Sequence, residues 1–274
     1  MYHRYRRRQQ HSFRIQTNKL PNHQNNITMN SLKHLSKIAG AGYLIIFITG
    51  IFANFFVLQQ LTVPGDAAAT AGNISGNGFL FRTGILGFII MVVFDVILAW
   101  ALYILLSPVN RHLSLLAAWL RLVNATIFGV ALFQLFGILK ISSGTDYLQA
   151  SAASQLNTQI MLHLDAFNHT WLIGLVFFGI HLSILGYLIF KSGYMPRILG
   201  LLLIVASAGY LTDSFANFLM PNYTDYKDIF SMAVILPGVI GELMLTLWLL
   251  LKGVKIQPRQ EESFLQRDPL LDPA

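Results

Sequence analysis

The sequence contains no cysteine and little charge: Asp, Glu, Lys and Arg together make up 11% of its 274 residues, against 54% hydrophobic residues. The missing thiols exclude disulfides, thiolate nucleophiles and cysteine-ligated metals, and say nothing about compartment. The shortage of charge excludes an ordinary soluble domain, in which about 25% of residues are charged. Also absent are the H-E-x-x-H, G-x-S-x-G and phosphate-loop signatures, so none of those catalytic or nucleotide sites is present as a motif. Acid is missing from one particular place. Residues 1–28 hold Arg4, Arg6, Arg7, Arg8, Arg14 and Lys19 with no Asp or Glu, and so carry six of the seven net positive charges. The rest of the chain, with thirteen basic and twelve acidic residues, is nearly neutral. No nucleic-acid partner is therefore expected.

What the sequence has in abundance is long apolar runs. A helix crossing a bilayer needs about 20 mostly apolar residues, and six windows qualify: Ile38 to Val57, Gly84 to Leu106, Leu113 to Leu139, Trp171 to Phe190, Ile198 to Phe218 and Ile229 to Leu251. A soluble helical protein of this size lacks the polar surface to cover six such runs. A membrane β-barrel would alternate polar and apolar residues, and these runs do not. The predicted fold is all-α, a polytopic transmembrane helical bundle of about six spanning helices over residues 29–255. A basic tail, 1–28, and a second tail, 256–274, are predicted to be disordered. The first tail is suited to anionic lipid, while "MNSLKHLSKIAG" offers Met29 as an alternative start.

Orientation is read from Lys and Arg in short loops, which accumulate on the cytoplasmic side. Lys33, Lys37, Arg111, Lys191, Arg197, Lys252 and Lys255 lie near helix ends on the side of the N-terminus, against Arg82, Lys140 and Lys227 near the opposite ends. Seven against three predicts both termini on the cytoplasmic side. On the opposite side, Pro64-Gly65 followed by Asp66 forms a turn that can cap a short helix. Leu156, Ile160, Leu164 and Phe167 fall on one helical face, belonging to an interfacial helix or to an outward extension of the fourth span.

The stretches "IAGAGYLIIFITGIFANFFVLQQLTVPGDAAATAGNI", "LDAFNHTWLIGLVFFGIHLSILGYLIFKSGYMPRILGLLL", "GYLTDSFANFLMPNY" and "LPGVIGELMLTLWLLLKGV" resemble a bacterial integral-membrane family, the domain of unknown function numbered four thousand three hundred eighty-six. The resemblance runs from about Met29 to about Val254 and implies six or seven spans in a bacterial inner (plasma) membrane. It brings no catalytic or binding residue with it.

Ionisable residues inside the spans are the functional signal, because a charge facing lipid costs several kcal/mol and turns toward protein, a partner or water. Counting from the helix ends on the side of the termini, at 1.5 Å per residue, gives roughly 16, 12, 13 and 14 Å for Asp95, Arg121, His181 and Glu242. Asp95 and Arg121 belong to neighbouring antiparallel helices and are expected to pair; His181 and Glu242 would complete one mid-membrane polar layer. Such a layer serves helix register alone, or it serves a ligand or proton site, for which a carboxylate and an imidazole at one depth are the required parts. Pro237 is expected either to free backbone carbonyls that could line a cavity or to be a tolerated kink. A second, outward cluster comprises Arg82, His163, Asp165, His169 and Asp213, with Asp165 and His169 four apart on one helix face. Its spacing matches no established metal motif, so no metal and no cofactor are expected. Tyr43, Trp100, Tyr103, Trp171, Tyr187 and Trp248 read as interfacial anchors or packing residues.

Three functional classes follow: a protein that binds or moves a small solute or ion through the polar layer, a non-catalytic interaction or envelope-maintenance protein, and an intramembrane enzyme using the outward cluster. The lipid bilayer is the one partner common to all three.

Overall fold

A computed structural model describes residues 22–143 and 152–254; the predicted tails up to residue 21 and from Lys255 onward lie outside these. Helix α1 spans Asn22–Ile51, so it begins before the predicted boundary at Met29. It runs on through a π-helical segment, Phe52–Leu58, into a last α-turn, Gln59–Leu61. There follow α2 (Ala67–Gly76), α3 (Gly78–Leu106), α4 (Arg111–Ser142), α5 (Ala153–Ser192), α6 (Arg197–Leu219) and α7 (Tyr223–Leu251). Among the described residues 90% are helical and none lies in a strand. Among the described residues six helices, counting α1 with its continuation and excluding α2, are long and apolar enough to cross a membrane. The chain is a multi-pass membrane protein.

Helix ends and turns follow local chemistry. Asp66 caps α2 by accepting a hydrogen bond from the Ala69 amide at 2.9 Å, after a turn in which Gly65 takes φ 77°. Asn110 caps α4 in the same way through the Leu113 amide at 3.0 Å. Gly193 ends α5 at φ 73°, the left-handed position that favours glycine.

Each spanning helix packs on the next in sequence, and α7 packs back on α1, which closes a ring. Contact without side chains allows the closest approaches: Gly186 of α5 faces Gly200 of α6, and a Cβ on either would collide with the other's carbonyl oxygen. The π-helical segment sets Ala53 and Val57 against Gly87 and Gly84 of α3. In α7, Pro237 has no N–H for the carbonyl of Ala233 one turn earlier. Gly209 of α6 lies against that carbonyl, at a distance a Cβ would prevent, so the freed oxygen is covered by a neighbouring backbone.

Two apolar cores result. One, at the end of the bundle bearing the termini, includes Leu98, Leu105, Leu182, Leu185, Leu203 and Leu245. The other, toward the opposite end, includes Val57, Phe81, Phe88, Leu135, Ile160 and Phe167 and has no residue from α6 or α7. The run holding Leu156 to Phe167 is a continuation of α5, a 40-residue helix about 60 Å long. Phe56, Val93, Trp119, Phe133 and Leu219 point outward and are exposed. In water they would be an aggregation surface; in a bilayer they are its wall.

Candidate functional site

Between the two cores lies a polar layer to which every spanning helix contributes. Arg121 of α4 is 1% exposed and forms its centre. Its Nη2 donates to Asp95 Oδ1 of α3 at 2.6 Å. Its Nη1 lies 3.2 Å from His181 Nε2 of α5. Its guanidinium carbon sits 5.1 Å from the ring centre of Tyr43 of α1 and 5.4 Å from that of Phe178. One planar cation thus engages three other helices, which a lysine's single ammonium could not do.

The histidine tautomer follows from what its partners can do. A guanidinium only donates, so His181 Nε2 accepts. The other ring nitrogen, Nδ1, stands 2.8 Å from the carbonyl oxygen of Ala117, which only accepts, so Nδ1 carries the hydrogen. His181 is therefore a neutral ring with both nitrogens used. Its predicted part in a proton relay would require Arg121 to let go of Nε2 first.

Glu242 of α7, 8% exposed, is held differently. Its Oε1 accepts one hydrogen bond in the layer, from the Tyr210 hydroxyl of α6 at 3.3 Å. Gly238, one turn away on α7, makes room for that hydroxyl: a Cβ there would lie 3.1 Å from it. Phe178 touches both groups, since it packs against Arg121 and edge-on against Tyr210, with ring centres 5.2 Å apart. Glu242 is within electrostatic reach of Arg121, but the guanidinium's close carboxylate contact is with Asp95.

The layer also holds polar atoms with no hydrogen-bond partner among the described residues: the Tyr43 hydroxyl, Arg121 Nε and both amide atoms of Asn124, which lies one turn along α4 and is fully buried. Gly174 of α5 leaves the space beside the Asn124 amide, below the stacked rings of Phe128 and Trp171.

The four residues expected in the layer are accordingly brought together, with Asp95, Arg121 and His181 in direct contact and Glu242 beside them. Tyr43, expected to be an interfacial anchor or a packing residue, is 1% exposed and lies under the guanidinium. Tyr210, Phe178 and Asn124 were not foreseen. The signal available for Asn124 is its spacing, three residues from Arg121, which puts both on one face.

The residues of the expected outward cluster are dispersed among separate contacts. His163 Nδ1 is 2.7 Å from Gln134 Oε1, with Gly137 making room for the ring. His169 Nδ1 is 2.7 Å from the backbone carbonyl of Asp165, a bond within its own helix. Asp213 accepts from the Tyr223 hydroxyl at 2.7 Å. Arg82 and the Asp165 side chain are exposed. Among the described residues no group of three or more His, Cys, Asp and Glu side chains is placed to hold a metal ion.

Comparison with known proteins agrees with this architecture without adding a chemistry. The family described as domain of unknown function (DUF4386) matches residues 38–253. An uncharacterized protein of Archaeoglobus fulgidus (strain ATCC 49558 / DSM 4304 / JCM 9628 / NBRC 100126 / VC-16) is 32% identical over 172 residues, covering 63% of this chain and 85% of its own length. No solved structure matches. The matched region takes in all of the polar layer and most of the six-helix ring, and the chain belongs to the DUF4386 family.

Proposed function

We propose that this protein binds a small cation at Glu242 and moves a small solute or ion through the mid-membrane layer of a bacterial plasma membrane, with both termini cytoplasmic. The observation that carries this reading is the mismatch of charge and contact in the layer. Two carboxylates share one guanidinium, Asp95 claims it at 2.6 Å, and Glu242 is left with a single 3.3 Å bond from a neutral hydroxyl. A buried carboxylate without a close cation is costly. A proton or a metal cation would relieve that cost. The seven-to-three distribution of basic residues supports the orientation.

The contacts divide the work. Asp95, Arg121 and His181 are bonded to one another and are 3%, 1% and 1% exposed, which favours a register role for the three. Glu242 and Tyr210 form the part that can change partners. Reconstitution into vesicles tests this, with a potassium diffusion potential as driving force and either protons, read by a trapped pH dye, or sodium, read by a trapped sodium-sensitive dye, as the permeant cation. Wild type should give cation flux above protein-free vesicles; Glu242→Gln should remove it while leaving the thermal unfolding profile in detergent unchanged. Equal flux from wild type and E242Q, or none above background from wild type with either cation, would refute the reading.

A further inference from the structure

Ring closure between the first and last helices creates a second feature, away from the polar layer. Ser36 of α1 donates its hydroxyl to the carbonyl of Leu249 at 3.2 Å, Gly40 fits against Leu250, and Gly253, at φ 63°, turns the chain over Ser36. Beside this seam opens a cleft of about 220 Å³ lined by Lys33, His34, Lys37, Leu250, Leu251, Lys252 and Gly253. Lys33 and Lys37 are one helical turn apart, and Lys252 comes from the far end of the chain. All three lysines are exposed, and Leu251 beside them is 81% exposed on the apolar wall of the bundle.

The charge around this cleft is one-sided. Among the described residues, Asp95 and Glu242 lie in the polar layer, and Asp66, Asp165, Asp213, Asp225 and Asp228 lie toward the opposite end of the bundle. No described carboxylate shares the face that carries the three lysines. A basic pocket between helices at the membrane boundary, next to an apolar wall, is the setting in which anionic headgroups are held.

We infer that the Lys33–Lys37–Lys252 cleft is a binding site for a phosphate group, supplied by an anionic phospholipid whose acyl chains lie along Leu251. Its recognition chemistry is three ammonium groups converging on a phosphodiester, with the lipid tail continuing down the α1–α7 seam. The site is separate from Glu242 and stands or falls independently of the function proposed for that residue.

The test is native mass spectrometry of the full chain in detergent, titrated with phosphatidylglycerol and, as control, phosphatidylcholine. Because residues 1–28 bring six further cations, variants are compared at equal net charge: K33Q/K37Q/K252Q against R111Q/K191Q/R197Q. Each pocket lysine should be worth about fivefold in affinity, so the pocket triple should weaken phosphatidylglycerol binding by about a hundredfold. The matched triple should stay near wild type. If excess inorganic phosphate displaces the lipid and is itself retained in a lysine-dependent way, the site takes free phosphate; if lipid occupancy is unchanged by phosphate, it takes the headgroup. Equal weakening by the two triples, no weakening by the pocket triple, or equal binding of phosphatidylcholine overturns the site.

Discussion

Removing Arg121 should damage this protein more than removing Asp95, and removing both should damage it less than the two losses combined. In Arg121→Met, Asp95 loses its 2.6 Å ion pair, His181 Nε2 loses its donor, and Glu242 loses the guanidinium in its electrostatic reach. Two buried carboxylates then face an apolar side chain. Breaking a buried pair in this way costs about 3–5 kcal/mol, and this variant belongs at the upper end. In Asp95→Leu, which keeps the shape, Arg121 retains His181, the Tyr43 and Phe178 rings, and Glu242 in reach, which places the loss at the lower end of that range. The double variant leaves neither charge of the pair, and its cost reduces to the unpaired His181 nitrogen, the guanidinium lost from the reach of Glu242 and imperfect packing, about 1–3 kcal/mol. The coupling energy should therefore be at least about 2 kcal/mol. Reversible unfolding in mixed SDS and dodecylmaltoside micelles, followed by the fluorescence of the four tryptophans, measures all corners of the cycle. Additive losses would refute the argument, as would a less stable Asp95→Leu than Arg121→Met.

Three further outcomes follow from packing. Gly200→Val should destabilise by about 1–3 kcal/mol, because its side chain meets backbone of α5, whereas Gly129→Ala, with nothing near its new methyl, should stabilise by about 0.5–1 kcal/mol; thermal unfolding in detergent compares them. Asn124→Leu replaces a buried amide with both polar atoms unpartnered and should raise stability by about 1–3 kcal/mol in the same assay; a loss of that size would show that the amide has a partner in the folded protein. Amide hydrogen exchange should be faster in Tyr223–Leu236 of α7 than in the buried stretch of α4 around Arg121, because most side chains in the former are exposed. Equal protection would count against that reading.

Length and hydropathy sufficed for the spans because a bilayer demands both in one continuous run, and all six windows lie inside helices. Depth counting placed Asp95 and Arg121 at matching levels because their helices are joined by the short turn at Ser107–Asn110, which leaves little freedom of register. Tyr210 was not legible: tyrosine is common at membrane interfaces, and nothing in the sequence marks this one as reaching across to Glu242. Phe178 is one aromatic among many in an apolar run. The lysine cleft depends on α7 packing against α1, a contact between the ends of the chain for which periodicity carries no signal. Pro237 was visible as a helix defect, but its consequence was not, since Gly209 covers the freed carbonyl only because α6 lies where it does.

The distribution of contacts explains why a second carboxylate is tolerable in this layer. The core on the side of the termini ties α1, α3, α5, α6 and α7 together, whereas the opposite core is built without α6 and α7. The half of α7 away from the termini, with Ile229, Met232, Ile235 and Leu236 exposed, is consequently held by fewer neighbours than the half near them. Glu242 sits at the boundary between these halves, five residues beyond the missing hydrogen bond at Pro237, and its one bond is to α6, the other helix absent from the opposite core. Asp95 has no such position: its helix packs in both cores and its partner is fixed by four groups at once. The same charge is locked on one side of the ring and loosely held on the other, and on that asymmetry the role proposed for Glu242 rests.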